Sequence, residues 1–218
     1  MRAWFLNLGP PSEVSPEQAA ADLEAIWSTE PALLLGCEGV LKGELPRAGK
    51  GNVKIRDSSN PGRANLYAYV RDVDRDRFQW TWEDCSVTFP RNQYPGEHPA
   101  RSILRFPYRG AQIVVAHKPP LWKGAGAARE EHDRRLARMM SPDENRDRAR
   151  LLFWDCNGMN GAEALADTIS ARVIGDRIDS AIGRRIDVLE QGYRTQVDGH
   201  RFATDHPWGA FYLRWRIR

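Results

Sequence analysis

Four apolar stretches of the chain each end in a side chain capable of chemistry. Arg2–Leu6 ends at Asn7, Leu33–Gly36 leads to Glu38, Ile113–Ala116 ends at His117, and Leu151–Trp154 leads to Asp155 and Asn157. A fifth element, Thr204-Asp205-His206-Pro207, adjoins the last apolar run and sets a carboxylate beside an imidazole. A polar group in the middle of a buried strand is expensive unless paired, whereas at a strand end it can project into a crevice. Four such ends in one chain point to a shared polar crevice. Glu38, Asp155 and Asp205 are hard oxygen ligands of the kind that suits Mg²⁺ or Mn²⁺. His117 and His206 can stabilise a phosphate or pass a proton near neutral pH. Asp187, inside Arg185-Ile186-Asp187-Val188-Leu189, is a carboxylate in a strand and needs a partner; a histidine that it orients would serve.

Each of these residues also has a plainer reading. Asn7 could form a strand-end turn, and Glu38 could be a solvated loop carboxylate. Asp155 and Asn157 could make an Asx turn. Asp205 could be a capping residue beside an exposed His206, and Asp187 could pair with Arg184 or Arg185 on the surface.

The elements that must hold these residues read as follows. Ala3–Asn7 is a strand. Ser15–Thr29 is a helix with Ser15 as N-cap, Pro16 at the first turn and Gln18 closing a capping box. Ala19, Leu23, Ile26 and Trp27 fall on its apolar face. Ala32–Gly36 is a strand, and Lys42–Arg63 a long surface loop. In Ala64–Val70 the residues Leu66, Ala68 and Val70 lie on one face and Tyr67 and Tyr69 on the other. Phe78–Trp82, Ser86–Phe89, Ser102–Phe106 and Ala111–Ala116 are further strands. Ala127–Met140 is a charged helix, its solvated face carrying Arg129, Arg134, Arg135 and Arg138, which could track a nucleic-acid backbone. Leu151–Trp154 is a strand, Ala162–Ile174 a helix, and Arg185–Leu189 and Gly209–Trp215 close the chain as strands. His98, His132 and His200 carry no signal beyond loop or charged-helix context. Strands outnumber helices in a mixed order, which argues for layered α/β architecture.

At 218 residues one domain, 1–218, is expected. Eight Trp among 10% aromatics exclude disorder as the main state. No apolar run approaches the ~18–20 residues of a membrane span, and the N-terminus has no signal-peptide core. Cys37, Cys85 and Cys156 are odd in number and share no ligand spacing, so a reduced, cytoplasmic protein is expected; a monomer is expected besides. Only five of the 32 basic residues are Lys. The Arg fork suits phosphate, but a GC-rich genome produces the same bias.

In this order, the motifs resemble those of the endonuclease/exonuclease/phosphatase superfamily, the deoxyribonuclease-I-like metal-dependent phosphodiesterases. Phe5-Leu6-Asn7 matches the Asn at the end of that family's first strand. Cys37-Glu38 matches its Gln-Glu, with Cys for Gln. Val114-Val115-Ala116-His117-Lys118-Pro119 matches its His-x-Pro stretch. Trp154-Asp155-Cys156-Asn157 stands for Gly-Asp-Phe-Asn, Arg185-Ile186-Asp187-Val188 for Arg-Ile-Asp-Tyr, and Thr204-Asp205-His206 for Ser-Asp-His. Trp154 in place of Gly is expected to narrow the crevice. Leu8 and Gly9 stand where some members have a second acidic ligand.

The resemblance implies a four-layer α/β sandwich of two mixed β-sheets flanked by helices. It implies a Mg²⁺- or Mn²⁺-dependent phosphodiester hydrolase, foremost a nuclease on DNA or RNA. The alternatives are a catalytically silent nucleic-acid- or protein-binding member, and a hydrolase of small or lipid phosphoesters. By the same resemblance Glu38 binds the cation with Asn7 and Asp205, and Asp155 positions or activates water. Asn157 contacts the scissile phosphate, His206 supports the transition state with Asp187 holding its imidazole, and His117 stabilises the phosphate or protonates the leaving oxygen.

Overall fold

The computed structural model describes residues 1–9, 13–37, 51–56, 66–84, 102–118, 126–141, 149–155, 161–174, 179–203 and 209–215. Two six-stranded mixed sheets face each other. The first contains β1 (Arg2–Asn7), β2 (Leu33–Cys37), β3 (Val53–Arg56), β4 (Leu66–Val70), β11 (Ile186–Tyr193) and β14 (Gly209–Trp215), in the order β11-β14-β1-β2-β4-β3. The second contains β5 (Thr81–Asp84), β6 (Ser102–Tyr108), β7 (Ala111–His117), β8 (Ala149–Asp155), β9 (Arg172–Ile174) and β10 (Asp179–Arg184), in the order β5-β6-β7-β8-β10-β9. Each sheet is built around one parallel pair, β1–β2 and β7–β8. A parallel pair needs a crossover connection, and each crossover here carries a helix: α1 (Pro16–Ser28) for the first, α2 (Gly126–Met140) for the second. A third helix, α3 (Gly161–Thr168), joins α2.

Period-two alternation sorts the side chains into three apolar layers. Ala3, Phe5, Leu33, Leu35, Ile113, Val115, Leu151 and Phe153 fill the space between the sheets, where the Phe5 and Phe153 rings stack at 6.3 Å. Trp4, Leu6, Leu34, Tyr67 and Tyr69 face outward onto Leu23, Ile26 and Trp27 of α1. Val114, Ala116, Leu152 and Trp154 face Leu136 and Met139 of α2 and Leu165 of α3. The result is the four-layer α/β sandwich. No helix among the described residues is long and apolar enough to cross a membrane.

Helix α1 begins as expected, with the reciprocal Ser15–Gln18 capping box. The expected 162–174 helix stops early. Ser170 adopts φ 51°, and Ser170 N–H and Ala171 N–H donate to Asp167 and Ala166 carbonyls at 3.3 and 2.9 Å. That is a Schellman stop, after which the chain re-enters the sheet as β9. Within the expected loop 42–63, the alternating Val53-Lys54-Ile55-Arg56 pairs with β4 as an edge strand. The strand expected at 78–82 forms at Thr81–Asp84, and 86–89 lies outside the described residues. Helix α2 buries Leu136, Met140 and also His132. Its Arg face is partly self-neutralised. Arg134 and Arg135 both pair with Glu131, and Arg135 also reaches Glu83 at 3.7 Å. The Arg135 hydrogen bond holds the Glu131 carboxyl below its ordinary range.

A lateral tie joins the two sheets. Tyr108 donates to the Arg71 carbonyl at 3.1 Å, while the Arg71 guanidinium stacks on Trp27 and donates to the Trp27 and Pro31 carbonyls. Burial raises the Tyr108 hydroxyl above its ordinary 10.0. A raised folded-state value means stability that is present below pH 10 and lost as pH climbs through it. Tyr108→Phe should therefore flatten the alkaline limb of an unfolding-against-pH curve.

Candidate active site

The C-terminal ends of both parallel pairs lie level with one another. Asn7 pairs with Cys37 in one sheet, and His117 pairs with Asp155 in the other. Alternation then sets the direction. Asn7 follows Ala3 and Phe5, His117 follows Ile113 and Val115, and Asp155 follows Leu151 and Phe153, so all three continue the inter-sheet face. Each is almost fully buried, at 0–1% exposure.

The three side chains meet across the sandwich. Asn7 Nδ2 donates to Asp155 Oδ2 at 2.8 Å, and His117 Nε2 lies 3.6 Å from the same oxygen. Asn7 Oδ1 accepts Gly9 N–H at 2.9 Å, which fixes the orientation of the amide. A buried carboxylate costs several kcal/mol unless its lone pairs are satisfied; here an amide and an imidazole from both sheets converge on it. Lys118 adds to the support. Its N–H donates to the Asp155 carbonyl at 2.9 Å. Its Nζ donates to Asp133 of α2 at 2.5 Å and sits 5.6 Å over the Trp154 ring. Trp154 itself does not narrow the crevice. It alternates with Asp155, so it packs into the outer helical layer.

Asn7 is also braced from behind. Tyr67 reaches across Gly36 and donates to the Leu6 carbonyl at 2.8 Å. A Cβ at Gly36 would come within 2.0 Å of the Tyr67 hydroxyl and 2.1 Å of the Leu6 oxygen. Gly36→Ala should therefore destabilise the fold by several kcal/mol, overpacking a site with no room on either side. Tyr67→Phe should cost only about 1 kcal/mol. Chemical denaturation of the two variants checks both.

Asp187 does not join this group. It is level with Arg214 on β14, whereas β14 meets Phe5 at its other end, Gly209. Asn7 is therefore about 20 Å away along the strands at ~3.3 Å per residue. The face is wrong as well. Ile186 and Val188 pack on the inter-sheet core, so Asp187 between them points out, 3.7 Å from Arg214. The physical reason is the path of the chain. β10 starts opposite Asp155, runs to the far end of the sandwich, and turns through Arg185 (φ 57°) into β11. The Arg-Ile-Asp triplet occurs twice, at 177–179 and 185–187. The earlier copy sets Asp179 opposite Asp155 in the β10–β8 pairing. That second triplet was the available signal.

Glu38, Asn157, Asp205 and His206 lie outside the described residues. Cys37, just before Glu38, is the residue paired with Asn7. Among the described residues no three His, Cys, Asp or Glu side chains form a cation cage. The donor chemistry at the strand ends nonetheless fits a hard divalent ion. Asn7 and Asp155 offer oxygens, and Cys37, the thiol among the described residues, is packed in the inter-sheet core.

No family model and no curated protein matches the sequence. Solved structures do match. The mannosyl-6-phosphatase Bt3783 of Bacteroides thetaiotaomicron superposes with TM-score 0.68 at 14% identity, covering 99% of this chain and 100% of that one. TDP2 of D. rerio, complexed with a single-strand DNA product, gives 0.66 at 11% identity, with 98% of each chain covered. An endonuclease/exonuclease/phosphatase of Beutenbergia cavernae gives 0.63 at 16% identity, with 99% of this chain and 71% of that one covered. At these identities the likeness is one of fold.

Proposed function

We propose, from the premise that this chain has the endonuclease/exonuclease/phosphatase fold, that it is a divalent-metal-dependent phosphoester hydrolase acting on nucleic acid. The observation that carries the reading is the meeting of Asn7, His117 and Asp155 at one mouth of the inter-sheet core. Three buried polar side chains from two sheets are costly to a fold that does not use them.

In this reading Asp155 holds or deprotonates the attacking water, and Asn7 aims its carboxylate. His117 donates to a phosphoryl oxygen or to the departing oxygen. Asn157 contacts the scissile phosphate, and His206 supports the crowded transition state. Asp179, whose backbone is level with Asp155, is the candidate to orient that imidazole in place of Asp187. Glu38 and Asp205, with Asn7 beside them, would hold Mg²⁺ or Mn²⁺. When bound, the ion neutralises charge on the non-bridging oxygens. The remaining work is electrostatic preorganisation by the side chains.

Nucleic acid as the substrate is supported by the DNA-bound structural neighbour. The sugar-phosphatase neighbour supports a second reading, a small phosphomonoester. The test is hydrolysis of single- and double-stranded DNA, RNA, bis-p-nitrophenyl phosphate and mannose 6-phosphate in Mg²⁺. Faster turnover of an oligonucleotide than of the sugar phosphate supports the first reading; the reverse order supports the second.

A further inference from the structure

Helix α1 carries a charge on its buried face. Asp22 lies among Ala19, Leu23, Ile26 and Trp27 and is 1% exposed. A carboxylate there is expensive unless both oxygens are engaged, and both are. His200 Nε2 lies 2.6 Å from Oδ1, and Ala203 N–H donates to Oδ2 at 3.0 Å.

Both partners belong to one small rigid unit. The strands β12 (Gln196–Val197) and β13 (His200–Arg201) pair across Asp198-Gly199. Those two residues have φ 45° and 82°. Two positive φ values in an Asp-Gly loop make a type I′ turn, the turn whose twist matches a tight hairpin. Phe202 N–H closes the unit onto the Thr195 carbonyl at 3.1 Å. Phe202 and Val197 pack on the apolar layer of α1, and the His200 ring stands edge-on to Phe202 at 5.6 Å. Apolar packing alone would let the hairpin slide on the helix. The two oxygens of Asp22 fix it at two points, and the second is Ala203, the residue before Thr204-Asp205-His206.

We propose that Asp22 is a positioning residue. Through His200 and Ala203 it fixes the backbone immediately before the 204–206 segment, so that its loss impairs the phosphoester hydrolysis proposed for Asp205 and His206. This inference rests on the function proposed above for those two residues. It gives a use to a buried charge that an apolar residue would otherwise replace at no loss.

The test measures bis-p-nitrophenyl phosphate and single-stranded DNA hydrolysis in Mg²⁺ for wild type, Asp22→Ala, Asp22→Asn and His200→Ala. Asp22→Ala should lower kcat by ~10–10²-fold, the scale of a misplacement of about 1 Å, while KM moves less than about twofold. Asp22→Asn keeps an acceptor for Ala203 N–H and should recover most of the rate, whereas a purely structural acid would show its loss in thermal stability alone. His200→Ala, which leaves the Ala203 bond intact, is the fallback if Asp22→Ala does not fold, and its kcat should fall in the same direction. Asp22→Ala added to His206→Ala should cost little more than His206→Ala by itself, because the two act as one unit. An active wild type with unchanged kcat in the folded variants, or with fully additive losses, overturns the positioning role. A wild type inert on both substrates overturns the phosphoesterase reading and this role with it.

Discussion

Asp155→Asn lowers turnover by at least ~10²–10³-fold, the usual loss for one well-placed group acting on the chemical step, while oligonucleotide binding persists. The substitution is nearly isosteric. An Asn oxygen still accepts from Asn7 Nδ2, now 2.8 Å from Asp155 Oδ2, so the fold is expected to stay within about 1 kcal/mol. The basicity that would pull a proton from water is gone, and so is the charge beside His117. Steady-state kinetics with a parallel filter-binding measurement separates the two effects. A fall in kcat with an unchanged dissociation constant is the expected pattern, because the interaction is made chiefly in the transition state. Retention of near-full rate would mean that the buried Asn7–His117–Asp155 group is structural.

The second large effect separates the two Arg-Ile-Asp triplets. Asp179→Ala is expected to reduce kcat by ~10²-fold, the scale on which an oriented imidazole acts. Asp187→Ala is expected to leave kcat within about twofold, since Asp187 sits at the far end of β11 on the outward face. Its pair with Arg214 is long, at 3.7 Å, and its Arg partner is largely exposed, so its stability cost should also be about 1 kcal/mol or less. The reverse ranking would return the role to Asp187 and require a chain path that the β10–β8 register does not allow. A double variant with His206→Ala adds a check. Asp179→Ala should be non-additive with it, and Asp187→Ala should contribute nothing further.

The contrast between these two residues shows what was legible in the sequence and why. Strand-ending polar residues stood out, because Asn7, His117 and Asp155 each interrupt an apolar run, and an interruption is a local property. The helix start at Ser15 was legible for the same reason. The choice between Asp179 and Asp187 was not local. Both follow Arg-Ile, and only the pairing of β10 with β8 decides which one returns to the mouth. The 162–174 helix was over-extended because Ser170 gives no glycine signal for its left-handed stop. The strand at Val53–Arg56 was hidden in a segment rich in turn residues, and its four residues gain their order from β4 rather than from their own propensity. The Asp198-Gly199 hairpin was readable in principle, since that dipeptide is the strongest short-range hairpin signal. Asp22, Lys118 and Tyr67 were beyond reach. Each matters through a partner distant in sequence or on another element, and no spacing rule in the chain announces such a contact.

Phosphoester hydrolysis that depends on a divalent cation held among hard oxygens at the ends of the parallel pairs must follow the metal. The measurement that tests it most directly is the rate of single-stranded DNA cleavage by the wild-type chain in Mg²⁺, after addition of excess EDTA, and after replenishment with Mn²⁺. Cleavage is expected in Mg²⁺, with a loss of at least ~10³-fold in EDTA as charge neutralisation at the phosphate is withdrawn, and recovery with Mn²⁺. Glu38→Gln should raise the Mg²⁺ concentration needed for half-maximal rate without altering thermal stability. Cleavage that continues undiminished in EDTA would contradict it.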